Sequence, residues 1–175
     1  RGLQQTLLPA LSDQAYVTQQ VVVDEDAHSA CELRLLLGDQ SAVFDSAKTS
    51  ADDVAFWLYS SGSTGNPKGV KHLHRNIVCT AETYGKKVLN ILEEDVAYSA
   101  AKLFFAYGLG NALTFPLSVG ATVVLTKGRP TPDVVFEVLN KHNPSLYFGV
   151  PTLYAAMLSV KDLAIIKTPQ RLRLC

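Results

Sequence analysis

Tyr59-Ser60-Ser61-Gly62-Ser63-Thr64-Gly65-Asn66-Pro67-Lys68-Gly69-Val70 is the most informative stretch of this chain. An apolar run, Ala55 to Tyr59, leads into it and reads as a strand. The stretch then combines flexible glycines, hydroxyl side chains in succession around Gly62, and one lysine. Such a loop suits phosphates: glycines let the backbone approach closely, N–H groups and Ser/Thr hydroxyls donate to phosphate oxygens, and a lysine supplies a point charge. A hydrogen bond to a charged oxygen contributes about 1.5–3 kcal/mol net, so several converging donors would hold a polyphosphate firmly. Composition alone would favour a solvated Gly/Ser linker. Pro67-Lys68-Gly69 and the flanking strand signals weigh against that. The G-x-x-x-x-G-K-[ST] phosphate loop is not matched, because Lys68 precedes Gly69 and Val70 follows.

Outward from this loop, short apolar strands alternate with helical patterns. Upstream, Gln20 to Val23 reads as a strand, Ala30 to Leu37 carries leucines at helical spacing closed by Gly38, and Asp39 to Asp53 reads as a surface connection. Downstream, Asn76 is expected to cap a helix from Ile77 to about Asn90, followed by a strand near Val96 to Ser99. Gly108 to Val119 is apolar and closed by Gly120, and Ala121 to Leu125 reads as a buried strand. Thr131, Pro132 and Asp133 supply an N-cap, an N1 proline and a first-turn acid for a helix to Asn140, and Leu146 to Val150 is the next strand. This alternation implies an α/β fold with a largely parallel sheet and helices on its faces.

The chain has 175 residues, of which 47% are hydrophobic, 18% charged and 9% aromatic, enough for one domain with a buried core. Sixteen basic and sixteen acidic side chains give a net charge of +0, so no global field steers nucleic acid or an anionic membrane toward it. Cys31, Cys79 and Cys175 are far apart and suit a reducing cytoplasm better than a disulfide framework. The most apolar stretch, Ala112 to Leu125, is interrupted by Thr114, Pro116, Ser118 and Gly120 and falls short of the roughly 18 residues of a membrane span. His72 and His74 would share one face of a strand, yet no third ligand accompanies them, so a metal site is not expected. His28 and His142 read as surface residues. Arg1 is not an initiator methionine, and Arg171 to Cys175 alternates like a strand just starting, so an interior fragment is expected.

Tyr59 to Val70 resembles the phosphate-loop signature of the adenylate-forming superfamily: acyl-CoA synthetases, peptide-synthetase adenylation domains and luciferases. A second stretch is similar to benzoate–CoA ligases and their hydroxybenzoate and aminobenzoate relatives. It comprises Ser99 to Asn111, Phe115-Pro116, Gly120-Ala121-Thr122 and Arg129 to Asp133. The likeness runs from about Asp53 to Leu158. It implies that residues 1–175 are part of the multi-layered α/β N-terminal AMP-binding domain, with the C-terminal domain absent. It implies a ligase that joins an aryl carboxylate, benzoate or a substituted benzoate, to CoA through an acyl-adenylate, with ATP, Mg2+ and CoA. Ser60, Ser61, Gly62, Ser63, Thr64, Gly65 and Lys68 would then embrace the β- and γ-phosphates.

By the same likeness Phe104, Phe105, Ala106, Tyr107 and Gly108 would wall the aryl pocket, the small Ala106 and Gly108 leaving room for a flat ring. Without it, core aromatics at a strand-to-helix junction would be the better reading. Lys102 could attract a carboxylate, although a surface lysine is the commoner fate. His74 would help order the turn into the next helix, and Tyr147 to Pro151 resemble the strand and turn that approach the acyl site, core packing being equally open for the two aromatics. The family's aromatic-Gly-x-Thr-Glu segment, ribose-binding aspartate, hinge and C-terminal lysine have no match before Cys175. No catalytic residue is therefore expected in this chain, which by itself should bind nucleotide poorly and catalyse neither half-reaction well. Two other functions stay open: an aryl-acid adenylation domain loading a carrier protein, and a non-catalytic nucleotide-binding module. The expected setting is cytoplasmic degradation of aromatic compounds.

Overall fold

The computed structural model describes residues 21, 33–38, 40–61, 65–160 and 170–175. The chain divides into two units, Arg1–Lys48 and Thr49–Cys175. In the first, α1 (Leu33–Gly38) is the only described regular element, and the Gln40 N–H donates to the Leu37 carbonyl at 3.2 Å just past its end. The strand expected at Gln20 to Val23 and the start of the helix expected from Ala30 lie outside the described residues, Val21 excepted. Residues 40–53 have neither helix nor strand and are exposed, as a surface connection should be.

The second unit opens with an antiparallel hairpin, β1 (Val54–Ser61) and β2 (Pro67–Leu73), in which Phe56 faces His72, Leu58 faces Val70 and Ser60 faces Lys68. Strand β2 escapes a sequence reading because Pro67 and Gly69 both disfavour strands. Pro67 is tolerated as the first residue of the strand. Gly69 is favoured by close approach, since a Cβ there would lie 3.1 Å from the rings of both Trp57 and Tyr59, which would have to shift by a few tenths of an ångström.

Leu73 occupies the cap position of α2 (His74–Thr80), one turn earlier than expected for Asn76. Asn76 reaches back instead: its Oδ1 accepts the Leu73 N–H at 2.7 Å, satisfying one of the orphan groups at the helix start. The helix widens into a π-helical turn at Ala81–Lys86.

A parallel sheet follows in the order β4-β3-β5, formed by β3 (Val96–Ser99), β4 (Thr122–Val124) and β5 (Leu146–Phe148). Between β3 and β4 run α3 (Ala106–Leu109), a π-helical turn (Gly110–Thr114) and α4 (Phe115–Leu117). Then come α5 (Pro132–His142) between β4 and β5, and α6 (Pro151–Leu158) after β5. Helix α5 starts at the expected Thr131-Pro132 boundary but runs two residues past Asn140, until Asn143 adopts φ 43° and ends it. The expected buried strand at Ala121 to Leu125 is shorter and lies at the edge of the described sheet, with Leu125 62% exposed.

Period-two alternation sends side chains of β3 and β5 to both faces. Tyr98 and Tyr147 meet Val135, Val138 and Leu139 of α5 and Leu153 of α6 on one face. Ala97, Leu146 and Phe148 meet Ile91, Ala121 and the half-buried Phe115 on the other. The strand expected at Leu172 to Cys175 adds a fourth parallel position, where Leu174 bridges Leu146. It is pinned by Arg173, whose guanidinium pairs with the buried Asp95 carboxylate. Asp95 also accepts the Ser145 hydroxyl at 2.7 Å and the Leu92 N–H at 2.9 Å. Burial pushes this carboxyl up, but Arg173, Ser145 and Leu92 together outweigh it and bring its pKa down to about 2.

Candidate active site

The hairpin register places Ser60 directly across from Lys68, one on each strand at the mouth of the glycine-rich loop, and both side chains are exposed. Gly65 turns the chain there with φ 87°, a conformation glycine adopts at no steric cost. Ser61 ends β1, while Gly62, Ser63 and Thr64 lie outside the described residues. Cross-strand partners share a face, so Ser60 and Lys68 lie on the same side of the hairpin as Phe56, Leu58 and His72.

That face continues into a cavity of about 180 Å3 whose far wall includes Ala106 and Leu109 of α3 and Phe115 of α4. The hairpin lines this cavity through Phe56, Leu58 and His72, which flank the glycine-rich stretch and do not belong to it, whereas the second stretch reaches it through Ala106, Leu109, Gly110 and Phe115. His72 stacks on Phe56 with ring centroids 5.0 Å apart, whereas His74 is the first residue of α2. The two histidines thus do not share a strand face. The His74 N–H donates to the Asp53 carbonyl at 3.1 Å and so joins the helix start to the residue before β1.

Phe105 and Tyr107 line a second, larger cavity of about 420 Å3 with Ala100, Ala101, Lys102, Pro130 and Val150. It lies beyond the carboxyl ends of β3 and β5, where open parallel sheets commonly take ligands, and its size falls within the usual range for small-molecule sites. Phe104 does not line it and is 75% exposed, packed against Phe105 at 4.5 Å. Gly108 is buried, and a Cβ there would lie 2.1 Å from the Lys102 carbonyl oxygen. Its missing side chain makes room for the Ala101-Lys102 backbone rather than for a ring, correcting the reason expected for this glycine. Lys102 is neither free at the surface nor pointing to open solvent: its Nζ donates to the Thr126 carbonyl at 2.5 Å.

Sequence reasoning missed the support behind Tyr107. The Tyr107 hydroxyl donates to the Gly149 carbonyl at 3.3 Å, and the Gly149 N–H donates to the Tyr154 hydroxyl at 3.2 Å. Burial pushes both phenols up, so both stay protonated and neutral around pH 7. The only available signal was the aromatic spacing of Tyr147, Phe148 and Tyr154, which core packing explains equally well.

Comparison with known proteins bears on the family and the fold. The model of the AMP-binding enzyme family matches residues 2–175. The benzoate–CoA ligase of Thauera aromatica is 58% identical over 130 residues, which cover 74% of this chain and 25% of that protein. Among solved structures, a benzoate CoA ligase from Burkholderia xenovorans LB400 matches with a TM-score of 0.79 at 47% identity, covering 93% of this chain and 31% of that one. The anthranilate CoA ligase AuaEII in complex with anthranoyl-AMP matches with a TM-score of 0.88 at 30% identity, covering 99% and 34%. The chain thus spans a quarter to a third of the length of these relatives. With a match running from residue 2 to residue 175 and a hairpin, sheet and helices that superpose on such ligases, this chain belongs to the AMP-binding enzyme family.

Proposed function

We propose that residues 1–175 form part of the N-terminal domain of an ATP-dependent aryl-CoA ligase acting on benzoate or a substituted benzoate in the cytoplasm. The observation that carries this reading is the cavity of about 420 Å3, walled by Phe105 and Tyr107 and set at the carboxyl ends of the parallel strands. A cavity of about 150 Å3 suffices for benzene, so a substituted ring has room. Its aromatic wall suits edge or offset stacking on such a ring.

A carboxylate is a poor acyl donor because oxide would have to leave. In the proposed first step a carboxylate oxygen attacks the α-phosphorus of ATP, the bond to the bridging oxygen breaks, and pyrophosphate carries away the electron pair. In the second, the CoA thiolate attacks the acyl carbon and AMP leaves; the thiol proton goes to solvent. Ser60, Ser61, Gly62, Ser63, Thr64, Gly65 and Lys68 would donate to the β- and γ-phosphates and offset the charge that builds on departing pyrophosphate. Lys68 acts as a clamp and not as a nucleophile. Among the described residues no three His, Cys, Asp or Glu side chains converge. Mg2+ would enter with the ATP phosphates and offset part of their charge. Similarity to a ligase solved with anthranoyl-AMP supports the acyl-adenylate.

The test is ATP–pyrophosphate exchange by the complete gene product that carries this sequence. Exchange should require benzoate or a ring-substituted relative and should fall about 100-fold in Lys68→Ala, the usual loss for one charge-stabilising donor. Exchange indifferent to aryl acids, or unchanged by Lys68→Ala, would overturn the proposal.

A further inference from the structure

We propose that Tyr154 is a positioning residue for the aryl site, an inference that rests on the ligase reading above. Its hydroxyl contacts neither cavity. It accepts the Gly149 N–H at 3.2 Å, while the Gly149 carbonyl accepts the Tyr107 hydroxyl at 3.3 Å. Gly149 is thus held from both sides by two phenols, one facing the 420 Å3 cavity and one rooted in the core.

The root is firm. The Tyr154 ring meets Tyr147 edge-on at 5.6 Å, and Tyr147 stacks at 5.6 Å on the fully buried Tyr98. The ring also lies so close beneath the turn that a Cβ at Gly149 would sit 2.7 Å from it, so only glycine lets the turn rest on Tyr154. Tyr107 itself is 46% exposed and meets Phe148 edge-on at 6.5 Å, so the hydroxyl bond to Gly149 is its main directional restraint. Val150, next in the chain, lines the same cavity. One hydroxyl at the far side of Gly149 therefore sets the spacing between Tyr107 and Val150, and with it the width available to a ring.

Removing that hydroxyl should loosen the aryl site and leave the hairpin that faces ATP untouched. In the complete gene product, Tyr154→Phe should raise KM for benzoate about 3- to 10-fold, the worth of one ordinary hydrogen bond. KM for ATP should stay within about twofold, and the preference for benzoate over bulkier ring-substituted acids should narrow. The double variant Tyr107→Phe/Tyr154→Phe should be no worse than the poorer single one, because both bonds act through Gly149. An unchanged benzoate KM, an equal rise in both KM values, or additive effects would overturn the inference. A measurement without any variant guards against misfolding: in the unaltered protein, benzoate should slow amide exchange at Gly149, and exchange indifferent to benzoate also overturns it. Lack of aryl-acid activity in the unaltered protein would remove the ligase reading and this inference together. Activity with an unshifted Tyr154→Phe removes the inference alone.

Discussion

Replacing Asp95 with asparagine should cost about 2 kcal/mol of folding stability near neutral pH and progressively less in acid. The carboxylate is 3% exposed and accepts from Leu92 N–H, the Ser145 hydroxyl and Arg173. These partners, acting against burial, bring its pKa from 3.8 to about 2. At about 1.4 kcal/mol per pKa unit, that depression corresponds to about 2 kcal/mol favouring the folded state. Because the folded pKa lies below the unfolded one, the stabilisation is complete above about pH 4 and is lost as pH falls through about 2. About half should remain at pH 3. The asparagine variant has no charge to lose at this position, so urea midpoints of the two proteins should converge as pH falls from 7 to 3. A cost under about 0.5 kcal/mol, or a gap that does not change with pH, would refute the assignment of Asp95 as an ionised anchor for Arg173.

Gly108→Ala should cost about 3 kcal/mol or more, since its Cβ would meet the carbonyl oxygens of Lys102 and Ala101 at 2.1 and 2.6 Å, backbone atoms that cannot swing away. A thermal melt checks it, and a midpoint within a degree of the parent contradicts the close approach. Tyr98→Phe should instead raise stability by about 0.5–2 kcal/mol, because the wholly buried Tyr98 hydroxyl has no hydrogen-bond partner among the described residues. Urea unfolding decides this, and a loss of stability would reveal a partner for that oxygen. Lys71→Ala should cost under about 1 kcal/mol, as its Nζ sits 5.1 Å over the half-exposed Trp57 ring. It should also alter the emission of Trp57, the single tryptophan.

Where the chemistry of a segment was local, its structure was legible. Val96 to Ser99 and the Thr131-Pro132 helix start stand where their apolar run and proline put them, and the helix-strand alternation after Lys86 gives the parallel sheet. The hairpin partner of β1 was hidden because Pro67 and Gly69 look like breakers until the Tyr59 and Trp57 rings are seen to crowd the space beside Gly69. Asn76 was misplaced because a side chain that bonds backwards and one that caps forwards look alike in a sequence. At the site, Phe105 and Tyr107 line a cavity at the ends of β3 and β5 while Ala106 lines the neighbouring one, so residues expected to wall a single pocket are divided between two. The role of Gly108 depends on a carbonyl six residues earlier, and that of Tyr154 on a hydrogen bond across a turn; neither leaves a periodic trace.

The central claim is met most directly by product analysis. The complete gene product would be incubated with benzoate, ATP, Mg2+ and CoA, and thioester and nucleotide followed together. The account predicts one AMP and one pyrophosphate for each benzoyl-CoA formed, with no AMP released when the aryl acid is omitted. Release of ADP in place of AMP, or transfer of the acyl group to a carrier protein and not to CoA, would contradict it.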